Sequence, residues 1–417
     1  MRARWHRLVE LARTGFWFMP MLMLGAACGL ALLLLYLDLW VDPGIKATLP
    51  WAYSGGPEGA RSLLSTIAGS MITAASVTFS LASVALSIAS QQYGSRVLRN
   101  FMRDRITQVL LGTFVATFIY CVLVVRAIRG SDFSGGFVPA ISVTVAIALA
   151  VVSLVLLIFF IHHVSASIQA SHIIRVIAED MAQAIPNLYP SETGAAPDDL
   201  RSLQELRSST KVPVKVAVSG YLQMVDLGAL FETASGRNIV IELLVKPGDH
   251  IVAGRELAYV WGVKELPEEE YKCIVGVFVI GWERTPEQDI RYQFQQLAEV
   301  VIRALSPGIN DPFTAINGID ELETALALLA RRGRINEKRY GKDGVLRLIV
   351  PTTNVSEVLE ETVGHIAIYG AGDPFVLAGL RKIVDRMGSM LFEESERVTV
   401  RRLREQLDRR QLAKSLG

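Results

Sequence analysis

Ser62, Thr66, Gly69, Thr73, Ser76, Ser80, Ser83, Ser87 and Ser90 recur at alternating four- and three-residue spacing. That spacing places all nine on one face of a helix. Neither charge nor proline interrupts the chain from Ser62 to Ser95, and the positions read as opposite, including Leu64, Ile67, Met71, Leu81 and Ile88, are larger and apolar. Two kinds of chemistry suit such a face. Small residues form a close-packed seam, because they let membrane helices approach closely. In an oligomer, the same hydroxyls line a hydrated path and exchange for the water shell of an ion. The pore-lining set is then Thr66, Thr73, Ser76, Ser80, Ser83, Ser87 and Ser90, with Phe101 at the inner end. Continuing the spacing reaches Gly94, Val97 and Phe101, an apolar constriction suited to gating by dewetting. No carboxylate lies on the stripe, and Arg96 and Arg99 sit near its inner mouth, so an anion is favoured if anything passes.

A second run with chemical potential is Ser306-Pro-Gly-Ile-Asn-Asp-Pro312, where two prolines bracket Gly308. Asp311 can cap a following helix with Pro312 at its first position, which reads as an αα corner. The alternative is a small ligand site lined by Arg303, Asn310 and Asp311. Gly370-Ala-Gly-Asp373 reads in the same way as a helix stop and restart, with Asp373 an N-cap, or alternatively as a phosphate loop. Adjacent His162 and His163 point to different faces of a helix, which favours an interfacial anchor over a metal site. His250 falls in a turn and His365 in a helix. There is no Walker A loop, no GxGxxG after a strand, no GxSxG and no HExxH. The three cysteines, Cys28, Cys121 and Cys273, show no metal-ligand spacing and read as reduced, buried thiols. The expectation is therefore no enzyme, no catalytic residue, no metal and no cofactor.

From Val245 to Val260 a VxPGD turn, an apolar pair, Gly254 and a final apolar run resemble half of a biotinyl- or lipoyl-type barrel-sandwich. No MKM-like tripeptide supplies a carrier lysine, so the strands are expected without biotin or lipoate chemistry.

Long uncharged runs concentrate before His162. A spanning helix needs about 20 apolar residues. Four segments qualify, at about 16–37, 63–89, 106–125 and 137–161. Up to Ile161 there are 12 Lys and Arg against 6 Asp and Glu, whereas the remainder carries 30 against 35. A basic membrane part beside an acidic soluble part, at net charge +1, is not the profile of a nucleic-acid binder. The basic start, Met1–Arg7, mimics a signal peptide, but the apolar run from Phe16 to Leu37 is too long for one and reads as an uncleaved helix. Arg2, Arg4, Arg7 and Arg13 precede the first helix, and Arg96, Arg99, Arg103 and Arg105 follow the second, which places those segments and the C-terminal region in the cytoplasm. Arg126 and Arg129 run against this and are outvoted by the two richer loops. The second helix is expected to outlast the bilayer, and the fourth to continue past His163 to about Ala184. After a helical extension and loop at 162–210, strands are expected over 211–284 and mainly helices over 285–417, ending in a charged helix at Arg397–Lys414.

The junction from Gln91 to Phe101 and the Arg-Ala-Leu-Ser-Pro-Gly-Ile-Asn-Asp-Pro run ending at Pro312, with four helices ahead, resemble the bacterial predicted-membrane-protein family called domain-of-unknown-function family 2254. The resemblance spans nearly the whole chain, implies the membrane topology and brings no activity with it. The expected fold is an N-terminal four-helix transmembrane bundle plus a cytoplasmic α+β domain with a barrel-sandwich-like strand module and helices. The expected setting is the bacterial inner membrane, with both termini cytoplasmic. Two functions follow from these readings. One is a homo-oligomeric protein conducting an ion or small solute along the second helix, gated by the cytoplasmic domain. The other is a non-conducting sensor or scaffold relaying a signal to cytoplasmic partners.

Overall fold

The computed structural model describes residues 18–40, 53–93, 104–129, 137–189, 210–333, 336–391 and 393–415. The chain divides into two compact units, Met1–His172 and Ile173–Gly417.

Among the described residues, the first unit contains four helices long and apolar enough to cross a membrane: α1 (Phe18–Trp40), α2 (Pro57–Tyr93), α3 (Arg105–Ala127) and α4 (Ala140–Ser167). α3 is the central one. Leu110, Phe114, Tyr120, Cys121 and Val124 along its length are buried against the other three. α1 and α4 turn large apolar side chains outward, Leu32 and Leu33 on one and Val151, Val155 and Ile158 on the other. Such faces suit hydrocarbon. Asp104 starts α3 by accepting hydrogen bonds from the Ile106 amide (3.1 Å) and the Thr107 hydroxyl (2.6 Å). α4 has no cap of its own at Pro139. Its first amides are instead met by Asp38 from the last turn of α1, 1% exposed. Asp38 Oδ1 accepts from the Ile141 amide at 3.2 Å, while Oδ2 accepts from the Ser142 amide at 2.9 Å and the Ser142 hydroxyl at 2.7 Å.

The expected continuation of α4 to about Ala184 is corrected. The helix stops at Ser167, and a turn at Ile168 and Gln169 separates it from α5 (Ala170–Leu188). Ser165 and Ser167 return their hydroxyls to the carbonyls of Ile161 and His163. Such back-bonding loosens and bends helices.

The second unit combines helices with two open sheets. Its elements are β1 (Lys211–Lys215), β2 (Gly220–Val225), α6 (Leu227–Arg237), β3 (Val240–Leu243), β4 (His250–Ile251), β5 (Glu256–Trp261), α7 (Glu268–Gly276), β6 (Phe278–Gly281), α8 (Ile290–Ala304), α9 (Pro312–Arg332), β7 (Lys338–Tyr340) and β8 (Leu346–Ile349). Then come α10 (Val355–Leu359), a π-helical turn at Glu360–Gly364, α11 (His365–Tyr369), a 3-10 turn at Gly370–Gly372, α12 (Pro374–Met390) and α13 (Glu394–Ser415). One sheet has the order β1-β5-β3-β8-β7 and the other β4-β2-β6. β3 and β8 pair in parallel, and the remaining pairs are antiparallel. Val214, Ile251, Leu257 and Val260, together with Val245 in the turn region, share one core. The sheets nonetheless stay open, and the larger one recruits β7 and β8 from beyond the stretch that resembled a barrel-sandwich. Helix α6, begun by Asp226 accepting from the Ala229 amide, lies where only strands were expected. Cys273, expected as a buried thiol, lies exposed on α7.

Candidate functional site

The stripe on α2 faces away from its own bundle. Ala60, Leu64, Ala68, Met71, Ala75, Ala85 and Ala89 are buried, whereas Ser62, Thr66, Gly69, Thr73, Ser76, Ser80, Ser83 and Ser87 are exposed and Ser90 is half-buried. A β-carbon added at Gly69 would meet open space. Among the described residues, no helix of this unit covers this face, and Leu64, Met71 and the alanines fill the inner one. Leu81, expected among the opposite residues, lies exposed at the edge of the stripe. Phe101, Gly94 and Val97 lie outside the described residues. Thr66, Thr73 and Ser76 donate to the carbonyls of Ser62, Gly69 and Ile72, at 2.8, 2.9 and 2.9 Å. Their hydroxyl oxygens keep acceptor capacity toward the outside.

At one end of the bundle, His163 Nε2 lies 3.1 Å from Asp104 Oδ2, the carboxylate that starts α3. His162 is exposed. Sequence reasoning missed this pair, although an Asp just before an apolar helical run was a readable cap signal. Asp38 was missed as well, because its partners lie 103 and 104 residues away in the sequence. Among the described residues, no three His, Cys, Asp or Glu side chains gather as a metal ion requires.

In the second unit, Arg303, Asn310 and Asp311 belong to the corner between α8 and α9. Asn310 adopts φ 49°, and its amide donates to the Ser306 carbonyl. Asp311 accepts from the Thr314 amide at 3.1 Å and the Thr314 hydroxyl at 2.5 Å, while Arg303 Nε sits 3.5 Å from Glu299. The Thr314 hydroxyl, then its amide, holds the Asp311 carboxyl below its ordinary value. A depressed carboxyl contributes stability above its unfolded value that is lost as pH falls through the folded one. The corner is therefore expected to loosen below about pH 4, and Asp311→Ala to cost about 1–2 kcal/mol at neutral pH. Chemical denaturation at pH 7 and in acid checks both. A cost equal at the two pH values would refute the capping role.

The VxPGD turn carries a denser polar cluster that sequence reasoning did not find. Asp289, 2% exposed, accepts from Arg284 Nε at 2.8 Å and from the Tyr292 amide at 3.1 Å, starting α8. Gly248 sits against it with φ 93°, and a β-carbon there would overlap the Asp289 carboxylate. Arg291 pairs with Glu361 of the π-helical turn, Gln295 Nε2 donates to the same carboxylate at 2.9 Å, and Lys246 Nζ lies 2.5 Å from Glu357. Nearby, the buried Tyr189 hydroxyl donates to the Thr353 carbonyl at 3.1 Å, and burial pushes it up to about 12. These groups are matched to one another across the β-turn, α8 and α10, which is the arrangement of a structural junction.

The chain matches the model of a predicted membrane protein family, DUF2254, over residues 13–386. It is 33% identical over 353 residues to uncharacterized proteins of Mycobacterium bovis and Mycobacterium tuberculosis, covering 84% of this chain and 67% of each relative. No solved structure matches. With four apolar helices and a match along most of its length, the chain belongs to the DUF2254 family of predicted membrane proteins.

Proposed function

We propose that this is a non-enzymatic, multi-pass protein of the bacterial inner membrane, with both termini cytoplasmic, that assembles from several copies. In this reading it conducts an ion or small solute along α2, and the soluble unit gates the path. The observation that carries it is the contrast between outward faces. Those of α1 and α4 are apolar, whereas that of α2 sets hydroxyls from Thr66 to Ser87 among the exposed Ile72, Val77, Phe79 and Val84. Hydrocarbon gains nothing from hydroxyls, and a hydrated path uses them. A second reading, a non-conducting sensor or scaffold, draws on Thr66, Thr73 and Ser76, whose hydroxyls turn back onto their own helix, as suits a contact with a neighbouring helix.

Flux through purified protein in liposomes separates the two. Conduction predicts solute flux that Ser80→Leu reduces to the level of empty liposomes without lowering the folded yield. It also predicts that cysteines at Ser76, Ser80 and Ser83 react with small water-soluble thiol reagents, while one at the buried Met71 does not. Silence in liposomes, together with unreactive cysteines and assembly lost on Ser80→Leu, would establish the scaffold instead.

A further inference from the structure

His163 stands near the end of α4, one turn before the helix stops at Ser167. Its ring stacks on Phe159, with centroids 6.2 Å apart and planes 11° from parallel. Nε2 is thereby held between two oxygens. Asp104 Oδ2, at the start of α3, lies 3.1 Å away, and Ser167 Oγ lies 3.4 Å away. Both oxygens have other uses. Asp104 Oδ2 accepts from the Thr107 hydroxyl at 2.6 Å, and the Ser167 hydroxyl donates to the His163 carbonyl at 2.7 Å. The imidazole therefore meets a pure acceptor on one side and, on the other, a hydroxyl able to donate or accept.

The two neighbours suit different protonation states. An imidazolium donates from Nε2 to the Asp104 carboxylate, and a charge-assisted bond of this kind is about twice as strong as a neutral one. A neutral imidazole has two choices. With its proton on Nε2 it keeps an ordinary bond to Asp104. With its proton on Nδ1 it faces the carboxylate with a lone pair, which is repulsive, and accepts from Ser167 instead. That hydroxyl then leaves the His163 carbonyl. Loss of the proton thus weakens the tie between α3 and α4 and frees the residue at which α4 ends. Among the described residues, other charges at this end are few. α3 adds the exposed Arg105 and α4 the exposed His162. α2 has no charged residue from Ser62 to Tyr93, and the single charge of α1, Asp38, caps α4 at its far end. We propose that His163 and Asp104 form a proton-sensitive latch, closed while His163 is protonated, that releases the joint between α4 and α5 at Ile168 and Gln169 as pH rises. Its stabilisation is present at low pH and lost with the proton. The latch is independent of the proposed conduction, since it needs neither a second copy nor a permeant solute.

Amide hydrogen exchange of the full-length protein in lipid nanodiscs, at about pH 5.5 and about pH 8, spans the range in which histidines change charge. The rates are expressed as protection, which removes the intrinsic pH dependence of exchange. Amides from Val164 to Gln169 should be about fivefold less protected at the higher pH, the factor separating a charge-assisted bond from a neutral one. Amides in the middle of α3 should not change. His163→Gln keeps a donor for Asp104 without a charge, so its protection should be equal at the two pH values. Asp104→Asn still caps α3 through its side-chain oxygen and should behave in the same way. Protection of Val164–Gln169 that is independent of pH in the wild type would overturn the latch, as would a pH-dependent loss that survives in His163→Gln. A pH-dependent joint in a protein silent in liposomes would leave the latch standing and remove conduction. Flux through a protein whose joint ignores pH would do the reverse.

Discussion

Replacing Asp38 by alanine is expected to lower the stability of the membrane unit by about 3–5 kcal/mol, because it leaves three donors at the start of α4 without their acceptor. The carboxylate is buried and meets three donors at the start of α4. Helix starts carry unsatisfied amides, and Pro139 offers α4 no side chain to meet them. Hydrogen bonds to a charged acceptor contribute about 1.5–3 kcal/mol each. Removing the acceptor leaves two backbone amides and the Ser142 hydroxyl without it in a region poor in water. Thermal unfolding in detergent should show a drop of about 6 °C or more, since 1 kcal/mol corresponds to about 2–4 °C at this size. Ser142→Ala removes one of the three bonds and should cost about a third as much. A melting temperature within a degree of wild type for Asp38→Ala would show that α4 finds its cap elsewhere.

The second large effect is expected at Arg284. Its guanidinium faces Asp289, and the Arg284→Ala variant would leave that carboxylate buried without its cation, at a cost of about 3–5 kcal/mol. The effect should depend on pH in a definite sense. Burial pushes the Asp289 carboxyl above its ordinary range, and Arg284 is the main group opposing it. Without the arginine the carboxyl rises further. A raised carboxyl contributes stability that is complete below its unfolded value and lost as pH rises through its folded value. The deficit of Arg284→Ala relative to wild type should therefore shrink toward about pH 4 and be largest near neutrality. Adding Asp289→Asn should recover much of the loss at neutral pH, because asparagine caps Tyr292 nearly as well. Denaturant titrations of the three proteins at both pH values check this. A deficit independent of pH, or no recovery in the double variant, would show that Arg284 acts by packing alone. Gly248→Ala should damage the same junction from the other side, through its φ of 93° and overlap with Asp289.

What the sequence made legible follows from which interactions are local. The four apolar runs became helices because length and composition decide that step. The start of α9 was readable because Asp311 and Pro312 act within one turn. The alternating spacing on α2 placed its hydroxyls on one face, but spacing cannot say whether that face turns inward, and it turned outward. Asp38 was opaque because its partners lie 103 and 104 residues away. The parallel pairing of β8 with β3 was hidden for the same reason, about 107 residues separating Ile241 from Leu348. Asp289 and Arg284 are close in sequence, yet only the Gly248 turn packed over them makes the pair buried. The break after Ser167 carries no proline or glycine to announce it. Helix α6 did have a signal, Asp226 ahead of Leu227, which was overridden by the alternating apolar residues on either side.

The length of α2 has a consequence for how the protein sits in membranes of different thickness. From Ser62 to Tyr93 the helix has no charged residue, a rod of about 48 Å in a hydrocarbon layer of about 30 Å. Tilt alone would have to reach about 50° to absorb the excess, beyond the range transmembrane helices adopt. Some of the rod must therefore lie among headgroups at one side or the other. A leucine rod of this length would be pinned by hydrophobic mismatch, since each ångström of misplaced surface carries a cost. Serine and threonine discriminate less between headgroups and acyl chains than leucine does, so α2, which sets them among Ile72, Val77, Phe79 and Val84, has a weaker preferred depth than a leucine rod. Its depth is set instead by α1 and α3, each 23 residues and about 35 Å long, which match the bilayer closely. Packed on α3 through Ala60, Leu64, Ala68, Met71 and Ala75, α2 follows α1 and α3, so a thicker or thinner membrane changes which of its residues meet headgroups and not its place in the bundle.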